Sequence, residues 1–555
     1  MAPSLTVEDT VITHVGRRIS ESQWGGHDLV DQAREATENE HKMGIWQAIK
    51  AYPHAVGWSV LASTALAMEG YDLVVIGSFY GFPEFQKKYG DKQADGSYVV
   101  SAPWQTGLGN GALIGEMIGL MFCGLLAERM GYRFTIGLAL VLVICFIFIT
   151  FFAVNIQMLL AGEILCGIPW GAFQTITIAY AADVTPLPLR PFLTTYVNLC
   201  WVFGQLVGSG VLRAMLQETS QWGYRIPFAL QWMWPIPLLI GIVLAPESPW
   251  WLVRRARYRD AEKSLRRLTS KTITFDAQKT IAMMVHTTEL EIELTSGTSY
   301  LDCFKGIDLR RTEIACCVWM TQALCGTGLQ AYSTQFYENA GLAVDYAFDF
   351  QMGQYGLAAI GVFIAWGLMP RVGRRTLYLL GLAMSCLLLL ITGFLGVAPR
   401  SNTAIPWVVG TMLLVLIFVY DLSIGPVCYC LVAEIPSVRL RSKTIVLARN
   451  AYNICGIIVN ILAPRMVVKS AWNWGAKTGF FWAGSCFLCI VWTFFRLPEP
   501  KGRTFAELDV LFERRVGARD FANTEIDPFR GDTVDLKGLS TVVAAKERDK
   551  VFQIG

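Results

Sequence analysis

The sequence predicts an all-α polytopic membrane protein of about twelve transmembrane helices, arranged as two six-helix bundles. Three observations carry this reading. Only 16% of the 555 residues are charged and 53% are hydrophobic, with a mean hydropathy of +0.41; a soluble chain carries about 25% charge. The apolar runs are about 20 residues long, the length a helix needs to cross ~30 Å of hydrocarbon. Charge is concentrated in residues 1–50, 247–311 and 499–555, and the middle block divides the runs six and six.

Residues 1–52 read as an N-terminal tail. "MAPSLTVEDTVITHVGRRISESQWGG" has no apolar h-region, so the first span is expected to direct insertion itself. The first bundle, 53–246, takes spans at 55–81, 105–127, 134–153, 157–181, 193–214 and 227–245. The central segment, 247–311, contains the basic stretch "RRARYRDAEKSLRR" from Arg254 to Arg267, which reads as an amphipathic helix covering one end of the bundle. The second bundle, 312–497, takes spans at 312–334, 350–369, 376–396, 405–433, 443–464 and 476–496. Residues 498–555 read as a C-terminal tail. Lys87, Lys88 and Lys92 leave the short loops nearly balanced in charge. The basic central segment breaks the tie and places itself and both tails in the cytoplasm.

The 14 cysteines form no disulfide or metal pattern. Cys123, Cys145, Cys166, Cys316, Cys317, Cys386 and Cys486 lie in apolar runs, as do Cys428 and Cys430 with no His nearby; all read as small packing residues. The net charge of +3 comes with no basic arm interleaved with aromatics, so nucleic acid is not expected as a partner. No metal is expected, and no nucleophile–base set points to an enzyme.

The two halves repeat at their cytoplasmic ends. "GLLAERMGYR" follows the second span and "MPRVGRR" the eighth. "ADVTPLPLR" follows the fourth and "AEIPSVRLR" the tenth, each with an acid seven residues before an Arg. "PESPWWL" follows the sixth and "PEPKGRTF" the twelfth. A parallel six-span repeat is the layout in which two bundles rock about a midplane site. The motifs supply a candidate inner gate: Glu128, Arg129, Arg133, Asp183, Arg190 and Glu247 in the first half, and Arg371, Arg374, Arg375, Glu434, Arg441 and Glu499 in the second. Paired between helices, these groups would hold the cytoplasmic side shut and part when the halves tilt.

"PESPWWL", "PEPKGRTFAELD", "GPVCYCLVAEIP" and the Gly-x-Arg loops together resemble the sugar-porter family of the major facilitator superfamily over roughly residues 50–515. "EGYDLVVIGSFYGFPEFQKKYG", "CGIPWGAFQT" and "YSTQFYENAGL" look like its fungal maltose-type, α-glucoside–proton symporter branch. The resemblance implies the major facilitator fold and sugar transport.

Charges inside the apolar runs point to coupling. Glu69 and Asp72 lie three apart, on nearly one helix face. Glu116, Glu163, Asp421 and Arg449 lie within the second, fourth, tenth and eleventh spans. An ionised side chain at the bilayer centre costs at least ~2.5–3.5 kcal/mol, so these groups are expected to face the bundle interior. Acids clustered with one Arg can gain or lose a proton as the site is hydrated. The resemblance implies that Asp72 falls at the family's first-helix proton-accepting Asp. The family's fourth-helix Arg is replaced here by Glu163, and an Arg stands at 449 where relatives carry a sugar-binding Asn or Gln. Glu69, Asp72, Glu116 and Glu163 are therefore expected to carry or tune the proton, with Arg449 as electrostatic partner.

A sugar needs amides and hydroxyls for its OH groups and aromatics for its C–H face. The spans offer Asn198, Trp201, Gln205, Gln322, Gln330, Tyr332, Tyr337, Tyr429, Asn450 and Asn453. The resemblance favours Asn198, Gln205, Gln322 and Tyr429. It also implies departures, with Ala323, Gly328 and Tyr429 replacing a Gln, an Asn and a Trp, which suggests a site wider than one hexose. The expectation is a monomeric, plasma-membrane proton symporter for a disaccharide such as maltose, lactose or cellobiose, with protons as coupling ion and no other cofactor. A sugar sensor and a proton-coupled exporter are the alternatives.

Overall fold

The computed structural model describes residues 35–36, 43–93, 96–270, 276–295, 299–369, 371–397, 404–437, 440–468, 471–501, 503, 505–522 and 524. Among these, ten helices are long and apolar enough to cross a membrane. They are Pro53–Phe79, Ala102–Met130, Tyr132–Phe151, Ile156–Val184, Thr195–Met215 and Trp222–Leu244, then Arg374–Leu395, Ile405–Glu434, Lys443–Val467 and Gly475–Arg496. They correspond to expected spans one to six and nine to twelve. Proline stands in the first turn of several of them (Pro53, Pro103, Pro406), where a missing N–H costs nothing.

The seventh and eighth spans depart from the expectation. The seventh is not one helix. Gly306–Leu324 stops at Cys325, and Gly326 takes φ +100°, a conformation open to glycine. A 3-10 turn, Thr327–Tyr332, and a short helix, Ser333–Ala340, complete it. The eighth, Val344–Leu368, begins six residues early, its first turns carrying Asp345 and Asp349, which an apolar run leaves out. The tenth also breaks, at Ser423 (φ −135°, ψ −76°). Irregular backbone at membrane depth persists where protein or a cavity satisfies it.

Glycine pairs bring the first-half helices together. Cβ atoms on Gly115 and Gly119 would strike the carbonyls of Ile164 and Ile168; on Gly167 and Gly171, those of Ala112 and Glu116. The second and fourth spans thus pack backbone to backbone in the small-xxx-small manner. Gly70 and Gly204 likewise bring the first and fifth spans together against Trp201 and Ala67.

The central segment folds as helices Pro249–Arg254, Tyr258–Leu268 and Ala277–Thr295. Tyr258–Leu268 is amphipathic, burying Ala261 and Leu265 against Leu252, Ile281 and Met284 and Leu268 in the first-half core. Part of the segment expected as a tail is also packed: in helix Phe505–Glu513, Leu508, Leu511 and Phe512 join the second-half core. At the face opposite the central segment, the halves are tied together. Tyr80 stacks on Tyr332 at 5.7 Å. Gln351 donates to Ser78 Oγ (2.6 Å) and Asn460 to the Gly109 carbonyl (3.0 Å). Arg213 bridges Asp345 at 3.0 Å and Asp349 at 2.6 Å.

Candidate functional site

A cavity lies between the halves at mid-depth. Glu69, Glu116, Trp170, Asn198, Trp201 and Gln205 line it from the first half. Gln322, Ala323, Thr327, Tyr355, Tyr420, Asp421, Tyr429, Arg449, Tyr452 and Asn460 line it from the second. The breaks in the seventh and tenth spans put their irregular turns at this wall. Gln322 donates to the Gly425 carbonyl at 3.1 Å, and the Thr327 hydroxyl donates to the Gln322 carbonyl.

The buried charges form two groups. In the cavity, Arg449 bridges Glu116 at 2.8 Å, 333 residues away in the chain, and so links the halves. Its guanidinium lies over the rings of Tyr452 (4.6 Å) and Trp319 (4.9 Å), a favourable cation–π setting. Glu69 accepts from Gln174 Nε2 at 2.9 and 2.8 Å. Behind the wall, within the first half, Asp72 accepts from Gln231 and lies beside the buried Glu163 of the fourth span.

Glu69 and Asp72 both face the fourth span, Glu69 through Gln174 and Asp72 beside Glu163, as three-residue spacing suggests. Glu69 lines the cavity and Asp72 does not. Arg449 pairs with Glu116. The expected sugar residues Asn198, Gln205, Gln322 and Tyr429 line the cavity. Four others do not. Tyr332 belongs to the seal opposite the central segment, against Tyr80. The eleventh span lines the cavity with Arg449, Tyr452, Gly456, Val459 and Asn460; Asn450 lies about 100° round the helix from Arg449, and Asn453 is fully buried at the edge of that stripe. The side chain of Gln330 lies outside the described residues. Ala323 and Gly328 both line the cavity, and a Cβ on Gly328 would meet the Val459 side chain. Trp170, Tyr355, Tyr420 and Tyr452 were not anticipated. Tyr452 was legible from helical spacing off Arg449; the others read as ordinary apolar packing. The indole N–H groups of Trp170 and Trp201 are buried without a hydrogen-bond partner among the described residues.

The repeated end motifs act as clamps inside each half. Glu247 accepts from the backbone N–H groups of Tyr132 (3.1 Å), Arg133 (3.3 Å) and Ser248 (3.0 Å). Glu499 accepts from those of Arg374 (2.8 Å), Arg375 (3.0 Å) and Lys501 (3.2 Å). Each carboxylate caps a helix start, where orphan N–H groups and the helix dipole favour an anion. Cβ atoms on Gly131 or Gly373 would strike these same carboxylates, which accounts for both glycines. Arg133 and Arg375 donate to the carbonyls of Val243 and Phe494, repeating the geometry. Arg374 bridges Glu434 at 3.1 Å, and Ser248 donates to Asp183 at 2.7 Å. Glu128 contributes its backbone carbonyl, to Trp251 and Arg255. Arg371 donates to the Gly367 carbonyl. Arg129 is exposed, Arg441 is half-buried, and the side chain of Arg190 lies outside the described residues. None of these named bonds joins one half to the other, so they stiffen each bundle rather than form the expected gate between the halves.

A family model described as "Sugar (and other) transporter" matches residues 58–512. The chain belongs to this sugar transporter family. Within it, the chain is 44% identical over 519 residues to maltose permease MAL61 of Saccharomyces cerevisiae, covering 90% of this chain and 83% of that one. It is 44% identical over 535 residues to the general alpha-glucoside permease of the same yeast, covering 94% and 86%. Among solved structures, the proton:xylose symporter XylE bound to 6-bromo-6-deoxy-D-glucose superposes with a TM-score of 0.68 at 21% identity, covering 83% of this chain and 99% of that one. A second XylE structure, of the E. coli protein in an inward open conformation, gives 0.66 at 21%, covering 82% and 99%. This likeness shows the major facilitator fold. The chain is thus a polytopic membrane transporter, as its sequence predicts, and its family is not an enzymatic one.

Proposed function

We propose that this chain is a plasma-membrane proton symporter that imports an α-glucoside disaccharide by alternating access, with both tails cytoplasmic. One observation carries the reading: acids and a single Arg share one cavity with amides and aromatics from both halves. The relatives' names favour an α-glucoside as substrate. Asn198, Gln205, Gln322 and the indole N–H groups of Trp170 and Trp201 offer hydrogen bonds to sugar hydroxyls, and Tyr429 offers a ring to a C–H face.

Arg449 neutralises Glu116. Glu69 faces the cavity with an amide as its bonded partner, and the neighbouring buried carboxyl groups of Asp72 and Glu163 cannot both ionise cheaply. Protons thus reside in the first half while the outer face is closed. Hydrating the site as it opens makes ionisation cheaper, so proton affinity follows conformation. The clamps at Glu247 and Glu499 keep each half rigid during the tilt.

The test is radiolabelled maltose uptake into proteoliposomes, with and without an inward proton gradient, for wild type and Asp72→Asn. Gradient-driven accumulation in wild type, reduced to equilibration in the variant, is the expected result. Equilibration in wild type regardless of the gradient would make the chain a uniporter. Flux of none of the α-glucosides offered would leave the sensor or exporter reading.

A further inference from the structure

Asp421 is the cavity acid that the coupling scheme leaves unused. It stands in the last turn of Ile405–Leu422, just before the break at Ser423. It is 3% exposed and lines the cavity. Its bonded partner is an amide from the other half: Asn198 Nδ2 donates to its Oδ1 at 3.2 Å. That distance is at the long end of the N–H···O range. The guanidinium in the cavity is engaged with Glu116 instead.

We infer that Asp421 is a specificity-determining residue, a carboxylate that accepts a hydrogen bond from a substrate hydroxyl in exchange for its bond to Asn198. The inference rests on the α-glucoside reading above. A carboxylate has acceptor capacity on both oxygens, and Asn198 uses one. Hydrogen bonds to a charged acceptor are about twice as strong as neutral ones, so a sugar O–H competes well with a long amide contact. The geometry also links binding to motion. Asn198 belongs to the first half and Asp421 to the second, so parting the halves removes the amide. Without sugar, a buried carboxylate then loses its donor, which is costly. With sugar bound, a hydroxyl travels with Asp421 and the cost is offset. Substrate thereby favours the transition through differential contacts, as any ligand-driven shift requires.

The experiment is sugar exchange in proteoliposomes with no proton gradient, so that coupling defects do not mask binding. Wild type, Asp421→Asn and Asp421→Ala are compared on maltose and on a panel of singly deoxygenated maltoses. Asp421→Asn keeps the size and shape of the side chain and guards against misfolding, checked by monodisperse elution. Both variants are expected to raise the KM for maltose by about tenfold or more, the scale of one lost charge-assisted bond. One deoxy sugar should lose affinity for wild type and bind Asp421→Ala as well as maltose does. A KM within twofold of wild type in both variants overturns the assignment, as does a deoxy panel on which wild type and Asp421→Ala fall in parallel. If wild type itself exchanges no α-glucoside, the substrate reading fails and this assignment falls with it. If wild type exchanges and the variants match it, only the assignment fails.

Discussion

Arg449 and Glu116 show what a buried charge requires of its neighbours. Their side chains are 6% and 4% exposed, so each depends on the other and on the rings of Tyr452 and Trp319. Removing one member of a buried pair costs about 3–5 kcal/mol, because the survivor remains buried and unpaired. Glu116→Gln should therefore lower the melting temperature in detergent clearly. Adding Arg449→Gln should restore much of that loss, because no charge is then stranded. Gradient-driven accumulation should stay absent in the double variant. A double variant no more stable than Glu116→Gln alone would show that the pair is not the source of the cost.

The same residues are placed by their helices. Glu116 sits between Gly115 and Gly119, and the fourth span carries Glu163 four residues before Gly167. The glycine contacts with Ile164, Ile168, Ala112 and the Glu116 carbonyl set the spacing of these two helices and hence of their acids. Overpacking a core commonly costs about 1–3 kcal/mol. Gly119→Val meets a backbone carbonyl that cannot yield without moving the helix, so its cost should reach or exceed that range. The expected result is a sharp fall in the monodisperse fraction on size-exclusion chromatography. Gly124→Ala, in the same helix with open space beside it, should elute as wild type does. The clamps make an analogous prediction: Gly373→Ala should displace Glu499 and destabilise the second half, seen as a lower melting temperature.

Across the whole molecule, the conformation is set by contacts between the halves on the face opposite the central segment. Arg213 with Asp345 and Asp349 is the charged element of that seal. Its groups are 29%, 60% and 43% exposed, so it should weaken as salt rises. Asp349→Asn should favour opening on that face. A cysteine introduced at Asn110 reports it: maleimide labelling there should speed up in Asp349→Asn and, in the parent, with added salt. Unchanged rates in both would assign the seal to Tyr80–Tyr332 and the amide contacts instead. The clamps at Glu247 and Glu499 lie inside their own halves and should leave this equilibrium unmoved.

The sequence by itself determined the class, the helices and the list of buried charges. Apolar run length and charge segregation are local quantities set by the bilayer, and the repeated motifs announced two equivalent halves. Polar groups in apolar runs offered ten sugar-site candidates, and the family resemblance singled out Asn198, Gln205, Gln322 and Tyr429, which line the cavity. Which charges meet was decided only by tertiary structure. Nothing local says that Arg449 reaches Glu116 across 333 residues, that Glu69 and Asp72 bond to different amides, or that Tyr452 lines the cavity and Asn453 does not. Those outcomes depend on helix rotation and on the approach of one backbone to another. In this fold, glycines and broken turns set both, and their effect exists only when a second helix is present.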